Sequence, residues 1–439
     1  MAKKIFPGKP MPWPGRSAAC PQAAQITIHR GTNEIGANCV EITHEFTRIL
    51  VDAGSSLDGS PTSLPDDIGE YSAVLISHGH QDHYGLIKDI PKDLPIYIGD
   101  VAWDFMQSLR IFTGKSPLPS RQRTRLEAGK TISIGVIAVT PYMVDHSSPE
   151  SFGFLIEANG KTIYYSGDFR AHGRKSRSFN YLCSHLPKGI DAMLLEGTMV
   201  RRNNAEFANE SAVEEGMVDA IKNEPSLVCL SCSAQNIDRM VTAYRAAKKC
   251  GRVLVLDIYS AWILRIAQKL SKNIPDLKWS GVRVLSHNKA ASGQYQKMKQ
   301  QKEYFNDFVQ ELYHPDNELW EKDLHNSPSK YVLKLGDYWV AHIIKSLESS
   351  TVIYSQWTGY LDRNTPTFNE YAAALKELPG VKFKAIHTSG HITSSDLERF
   401  VAETKPKRII PIHTEHKEEF HRLFPQTVVL DDEEMFDIT

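Results

Sequence analysis

Three histidines and an aspartate fall within six positions of the stretch Ser77-His78-Gly79-His80-Gln81-Asp82-His83-Tyr84-Gly85. Imidazole nitrogen and carboxylate oxygen together suit zinc, manganese or iron. His78 and His80 stand two apart, so an extended backbone sends both side chains the same way. Asp82 and His83 come after the turn and can address a second ion. The bland alternative is a solvated polar loop. Against it, four polar groups this closely spaced would otherwise need partners on burial. The apolar run Ala73-Val74-Leu75-Ile76 just before them reads as a buried strand, so the ligands sit where a strand ends and a loop begins.

The rest of the chain supplies elements that could position such a loop. Residues 1–23 are rich in proline and glycine and read as a loose arm. Strands are expected from Gln25, at 38–43, 48–51 and 73–76, and near 131–140 and 151–166. Between them, Ile96-Tyr97-Ile98 and a helix from Ala102 to Phe112 fit a strand–helix unit. Ala192 to Glu196 is a further apolar strand that ends in an acid. From about 201 the pattern becomes alternating helix and strand. Helices are expected at 205–222, 236–249, 259–271, 294–313 and 337–348, with strands at 226–230, 253–256, 283–286 and 331–334. This is the punctuation of a separate α/β lobe.

Composition bounds the function. The 439 residues allow two or three domains, and 23% charged with 41% apolar residues is ordinary for a globular chain. A net charge of -1 gives no global basic excess, so any nucleic-acid contact must use a local patch. The six cysteines show no disulfide framework, which fits a reducing cytoplasm. Cys229-Leu230-Ser231-Cys232 lacks the second pair a zinc ribbon needs and reads as buried strand-end thiols. The prolines after Lys3 and Lys4 leave no apolar signal segment. No apolar run reaches the roughly 18 residues of a membrane span.

The pattern His-x-His-x-Asp-His resembles the signature of the metallo-β-lactamase superfamily. Further segments extend the likeness in order: Asp52 after Ile49-Leu50-Val51, His146 in Val144-Asp145-His146-Ser147, and Asp168 in Tyr165-Ser166-Gly167-Asp168. Leu195-Glu196-Gly197-Thr198, His387-Thr388-Ser389-Gly390-His391 and Pro411-Ile412-His413-Thr414-Glu415 resemble motifs of the β-CASP nucleases, ribonuclease J above all. The resemblance implies an αββα sandwich with an inserted α/β β-CASP domain. The expected division is a sandwich core at 24–200, the lobe at 201–352 and the last part of the core at 353–439.

The same resemblance implies two divalent ions, zinc foremost and manganese as the alternative. His78, His80 and His146 would hold one ion, Asp82, His83 and His413 the other, and Asp168 would bridge them. Asp52 would support the loop from behind. Catalytic roles fall to Asp82, which orients the attacking water, to His391, which protonates the leaving oxygen, and to Glu196, which fixes the His391 tautomer and raises its basicity. Substrate contacts fall to His387, Ser389, Ser233 and Arg239. Alternatives stand beside these roles: Ser389 as a turn former, Ser233 or Asn236 as a helix cap, and Trp357 and Tyr360 as hinge packing in place of base stacking. A basic run after Asp168 (Arg170, Arg174, Lys175, Arg177) is a candidate phosphate contact, as are Arg201 and Arg202.

The function so implied is hydrolysis of single-stranded RNA by a cytoplasmic enzyme, with no membrane partner and a homodimer as one arrangement. The alternatives are a single-stranded DNA nuclease of the same fold, a small-molecule metallo-hydrolase and a non-catalytic nucleic-acid-binding subunit. Thr414 stands where glycine is usual in the family, and the chain has no room for an additional C-terminal domain of the ribonuclease J kind.

Overall fold

A computed structural model describes residues 23–118, 123–202, 207–286 and 292–439. Most of the proline-rich arm expected at 1–23 lies outside them. Two sheets make the sandwich. The first orders Met435–Ile438, Ala24–Arg30, Cys39–His44, Thr47–Val51, Ala73–Leu75, Ile96–Ile98 and Arg123–Arg125. The second orders Ile409–Ile412, Ala192–Glu196, Lys161–Tyr165, Phe152–Ala158, Ile137–Met143 and Ile132–Ile134.

The strands are apolar on both faces because each sheet is covered twice. Ile49 and Val51 join Phe154, Tyr165 and Leu194 between the sheets, while Leu50 and Val74 face the helix that carries Ala102 and Met106. On the other outer face Tyr164, Met193 and Leu195 pack on Phe179 and Leu182 of one helix and Leu397 and Phe400 of another. Alternate residues of one strand thus enter different cores, the period-two rule of a strand buried on both sides. The layers are helix, sheet, sheet, helix, the αββα sandwich expected.

The third sheet is parallel throughout and belongs to the lobe. Its order is Glu318–Trp320, Val282–Ser286, Val253–Leu256, Tyr331–Lys334, Leu227–Ser231, Ser350–Tyr354 and Val381–Ala385. It therefore runs past the expected division at 352/353. The strand at 350–354 pairs with Leu227–Ser231 on one side and Val381–Ala385 on the other, so the chain re-enters the core only after Ala385. The single helix expected at 294–313 is three pieces, Gly293–Gln300, Lys302–Phe305 and Phe308–Leu312, with Asn306 at φ 47° between the last two. Among the described residues no helix is long and apolar enough to cross a membrane.

Candidate metal centre

The ligand cluster forms where strand ends from both sheets meet. Ala73–Leu75 delivers His78, and His80 caps the four-residue helix Gln81–Tyr84 that carries Asp82 and His83. Asp168 follows the strand Lys161–Tyr165, Glu196 ends its own strand, and His413 follows Ile409–Ile412. His78, His80, His146 and Asp168 place one ligand atom each within 4.8 Å of one another, as do Asp82, His83, Asp168 and His413. Asp168 is common to both groups, the place of a bridge. Glu196, His391 and His413 form a third such group.

His78, His83, His146 and His413 each have one ring nitrogen engaged from behind, which turns the other inward. His83 Nδ1 donates to Asp52 Oδ2 at 2.7 Å, and His146 Nδ1 donates to the Gly390 carbonyl at 2.8 Å. His413 Nδ1 pairs with Thr198 Oγ1 at 2.8 Å, and His78 Nδ1 with Ser77 Oγ at 3.1 Å. Inward, His146 Nε2 faces His80 Nδ1 at 3.1 Å, and His78 Nε2 faces the same atom at 3.2 Å. Burial, with the neighbouring imidazoles adding to it, holds His78 and His146 neutral, so lone pairs converge on one point. Burial works against the charge on Asp82 and Asp168, yet the histidines around them hold both carboxyls ionised, Asp82 at about 2.

The donor set fits a divalent cation on an observation independent of motif. Buried His83 Nε2 and both carboxylate oxygens of Asp168 have no hydrogen-bond partner. An ionised carboxylate left bare in a protein interior is costly unless a cation or donors meet it. Here imidazole nitrogens and carboxylate oxygens meet around two points, which is divalent-metal chemistry.

Asp52 occupies the left-handed region (φ 63°) and accepts from Ser77 N at 2.7 Å, Ser77 Oγ at 2.8 Å and Tyr165 Oη at 2.6 Å. It thus braces the ligand loop from behind. The glycine-bearing segment 31–38 serves the same loop. A Cβ on Gly36, itself at φ 96°, would come 2.8 Å from Asp82 Cβ, and Asn38 N donates to the Asp82 carbonyl at 3.0 Å. Ser77, Tyr165 and Thr198 stand inside the motif segments beside the ligands, but spacing alone gives them no role.

Glu196 is fully buried and both its carboxylate oxygens lie 3.1 Å from His391 Nδ1. Burial opposes charge on His391, but Glu196 and then Asp168 outweigh it and lift the imidazole to about 9. Thr414, the departure from the family pattern, donates to the Gly197 carbonyl at 3.0 Å and packs where a Cβ on Gly197 would meet it at 2.9 Å. The larger residue is accommodated by the glycine opposite.

The expected substrate contacts fare unevenly. Ser233 is exposed and accepts from Gln235 N at 3.2 Å, while Asn236 caps the following helix through Arg239 N at 3.0 Å. Ser389 Oγ accepts from His391 N at 3.1 Å, the turn-forming role. His387 Nδ1 lies 3.2 Å from Arg239, and burial with that guanidinium keeps its imidazole neutral, at about 3. Arg239 requires correction as a phosphate contact. It has no exposed surface, donating to the Ser355 carbonyl at 2.8 Å and to Glu210 at 3.0 Å.

The basic run after Asp168 is corrected in the same way. Arg170 is fully buried with Asp238 at 2.5 Å, Asp145 at 3.5 Å and Glu210 at 3.6 Å. Arg174 meets Glu214 at 2.6 Å, and Lys175 donates to the Ser148 carbonyl at 3.0 Å. Arg170 and Arg174 tie the core to the first two lobe helices, and of the run only Arg177 is exposed. Arg201 and Arg202 pair with Glu419 at 3.0 Å and Glu415 at 2.6 Å. Cys229 and Cys232 are buried free thiols at the end of a lobe strand.

Residues 47–228 match the β-lactamase superfamily domain, and residues 381–426 match the Zn-dependent metallo-hydrolase RNA specificity domain. Both matched segments are thus similar to metallo-β-lactamase-type hydrolase domains, in the chain order that the ligand motifs follow. It is 25% identical over 416 residues to ribonuclease J 1 of Streptococcus pyogenes serotype M3, covering 88% of this chain and 68% of that one. It is 22% identical over 414 residues to ribonuclease J of Helicobacter pylori, covering 90% and 56%. Against ribonuclease J of Sinorhizobium meliloti the match is 25% over 229 residues, 47% of this chain and 39% of the relative. The alignments thus span from about two fifths to about two thirds of these relatives' lengths. A crystal structure of a protein of unknown function from Enterococcus faecalis V583 shares the fold, with a TM-score of 0.75 and 19% identity over 94% of this chain and all of the other.

Proposed function

We propose that this protein is a metal-dependent phosphodiesterase of the β-CASP branch that hydrolyses single-stranded RNA, leaving a 3′-hydroxyl and a 5′-phosphate. The observation that carries the reading is the pair of ligand groups sharing Asp168, with the Glu196–His391 pair 3.1 Å apart beside them. Two divalent ions bound there, zinc by the N/O donor set, would acidify a water and neutralise charge on the phosphate. The chain's own residues do the rest. Asp82, held ionised, accepts a proton from the attacking water and orients it. His391, its Nδ1 held by Glu196, carries its proton on Nε2 toward the leaving oxygen. Glu196 fixes that tautomer and favours the imidazolium. The RNA-specificity match spans His387, Ser389, His391 and His413, which supports RNA as the substrate.

The test is cleavage of end-labelled RNA and single-stranded DNA of one sequence by metal-loaded protein and by Glu196→Gln. The expectation is RNA cleavage with 5′-phosphate ends, a loss of about 10²- to 10⁴-fold in Glu196→Gln, and unchanged metal content. Equal cleavage of DNA would favour the DNA-nuclease alternative. No cleavage by protein carrying two ions would end the nuclease reading.

A further inference from the structure

Of the seven aromatic side chains exposed among the described residues, four lie on one strip of the lobe: Tyr338, Trp339, Trp357 and Tyr371. Tyr338 and Trp339, 57% and 48% exposed, project from the helix Asp337–Ile344, which already buries Val340, Ile343 and Ile344. Tyr371, 49% exposed, projects from Glu370–Glu377, which buries Ala372 and Leu375. The outward rings therefore add nothing to the core, and a soluble chain has no folding reason to gather them. Tyr338 lies 5.4 Å from Trp339 and 5.7 Å from Tyr371, near-perpendicular to both, and Trp339 lies 5.9 Å from His342, so the rings form one edge-to-face cluster that is about half exposed.

A second pair continues the strip. Trp357 and Tyr360 stand 5.3 Å apart at 85°, and a Cβ on Gly359 would come 2.3 Å from the indole, so glycine lets that ring lie against the backbone. Asn369 joins the pairs: its N–H donates to the Tyr360 carbonyl at 2.8 Å and its Nδ2 to Asp337 at 3.3 Å. At the inner end Arg202 lies 5.2 Å over the Trp357 ring and pairs with Glu415, two residues from His413. The strip thus leads from the metal centre across the carboxyl ends of the parallel strands 331–334 and 350–354, the edge where open α/β sheets bind ligands.

We propose that Tyr338, Tyr371 and Trp339 form a stacking track for the unpaired bases of the RNA that enters the metal centre, with Trp357 and Tyr360 shaping its inner end. This rests on the RNA-hydrolase reading above. Base–aromatic stacking is sequence-tolerant because every base has a π face. It also adds a grip that is not ionic beside a junction whose Arg170, Arg174 and Arg239 are held in ion pairs.

The experiment compares wild type with Tyr338→Ala/Trp339→Ala/Tyr371→Ala on RNA of about 20 nucleotides and on progressively shorter oligonucleotides. KM on the long RNA should rise about tenfold or more, and the difference should shrink with length. The slope of binding against salt should stay the same, since no phosphate contact is lost. The Tyr338→Phe/Trp339→Phe/Tyr371→Phe variant should restore binding, which a folding defect would not allow. Equal KM for the alanine variant and wild type on long RNA, with RNA still cleaved, overturns the track and leaves the hydrolase reading standing. A drop from dimer to monomer in sedimentation with KM unchanged overturns it in favour of a self-association face. If wild type cleaves no RNA yet RNA quenches its tryptophan fluorescence, and the alanine variant loses that quench, the track stands and the hydrolase reading falls.

Discussion

Two clusters of buried polar side chains lie side by side in this molecule and are built on opposite principles. At the junction of core and lobe, Arg170, Arg239, Glu210 and Asp238 alternate in sign, and each charge has an opposite charge within hydrogen-bond reach. Even Arg170 Nε, which has no aligned acceptor, faces Asp145 at 3.5 Å. At the metal centre imidazole lone pairs face one another, and Asp168, held ionised by the histidines around it, has no hydrogen bond on either oxygen. Both clusters are largely buried, so burial alone does not mark a functional site. What marks it is donor atoms that converge on one another without hydrogen bonds. The first cluster is a fastener and the second is a receptacle.

The sharpest way to break the comparison is to change one residue of each. Asp168→Asn should reduce bound metal from about two ions per chain to less than one and abolish cleavage, a fall of about a thousandfold or more. Elemental analysis and a cleavage assay check the two parts. Wild-type metal content in Asp168→Asn would show that the carboxylate holds no ion. Arg170→Met is the converse. It removes the cation from Asp238 and Asp145, leaving them the backbone N–H groups of Arg174 and Gly173, and should cost about 3–5 kcal/mol of stability. Denaturant titration measures it, and an unchanged midpoint would show that the lobe is held by its apolar contacts alone.

Acid should separate the clusters as well. Burial works against the charge on Glu210, but Arg239 and Arg170 outweigh it and hold the carboxyl at about 2 against an ordinary value near 4.5. Its folded-state pKa is depressed, so its contribution is complete above the ordinary value and disappears as pH falls from about 4.5 toward 2. The loss is on the order of 3 kcal/mol at most. Glu210→Gln should lower stability at neutral pH and flatten the dependence in that window. Stability profiles of wild type and variant that run parallel from pH 5 to pH 2 would remove the junction as the source.

Much of the receptacle could be read from the sequence, and little of the fastener. Metal ligands sit at strand ends in short fixed spacings, so local pattern reveals them: His78, His80, Asp82 and His83 lie within one turn, and the family order supplies the other members. Ion pairs across a domain junction leave no such trace. Arg170 and Asp238 are 68 residues apart, and nothing local distinguishes a guanidinium that will be buried from one that will meet phosphate. For that reason Arg170, Arg174 and Arg239 looked like phosphate contacts. The lobe boundary was missed for a related reason. The strand at 350–354 reads as a return to the core, and only its pairing with residues 227–231 shows that the lobe keeps it. Tyr338 and Trp339 were lost inside an expected helix, where period alone does not say which ring faces out.

The smallest expected effect bears on how the receptacle is kept in register. His413 has a left-handed backbone (φ 52°), its N–H donates to the Gly31 carbonyl at 2.7 Å, and its Nδ1 rests on Thr198 Oγ1. Its Nε2 then lies 3.3 Å from Asp82 and 3.7 Å from Asp168. Backbone and hydroxyl could each fix the ring, and Thr198→Val separates them by removing the hydroxyl while keeping the shape. Partners of this kind typically govern 10- to 100-fold in metal affinity. Competition with a chelator should therefore show one ion held about 10- to 100-fold more weakly and the other, in the His78, His80 and His146 group, unaffected. Thr198→Ser should restore the weakened site. Wild-type affinity for both ions in Thr198→Val would mean that the backbone alone sets His413, and that the centre needs fewer answering hydrogen bonds from behind than the junction needs ion pairs.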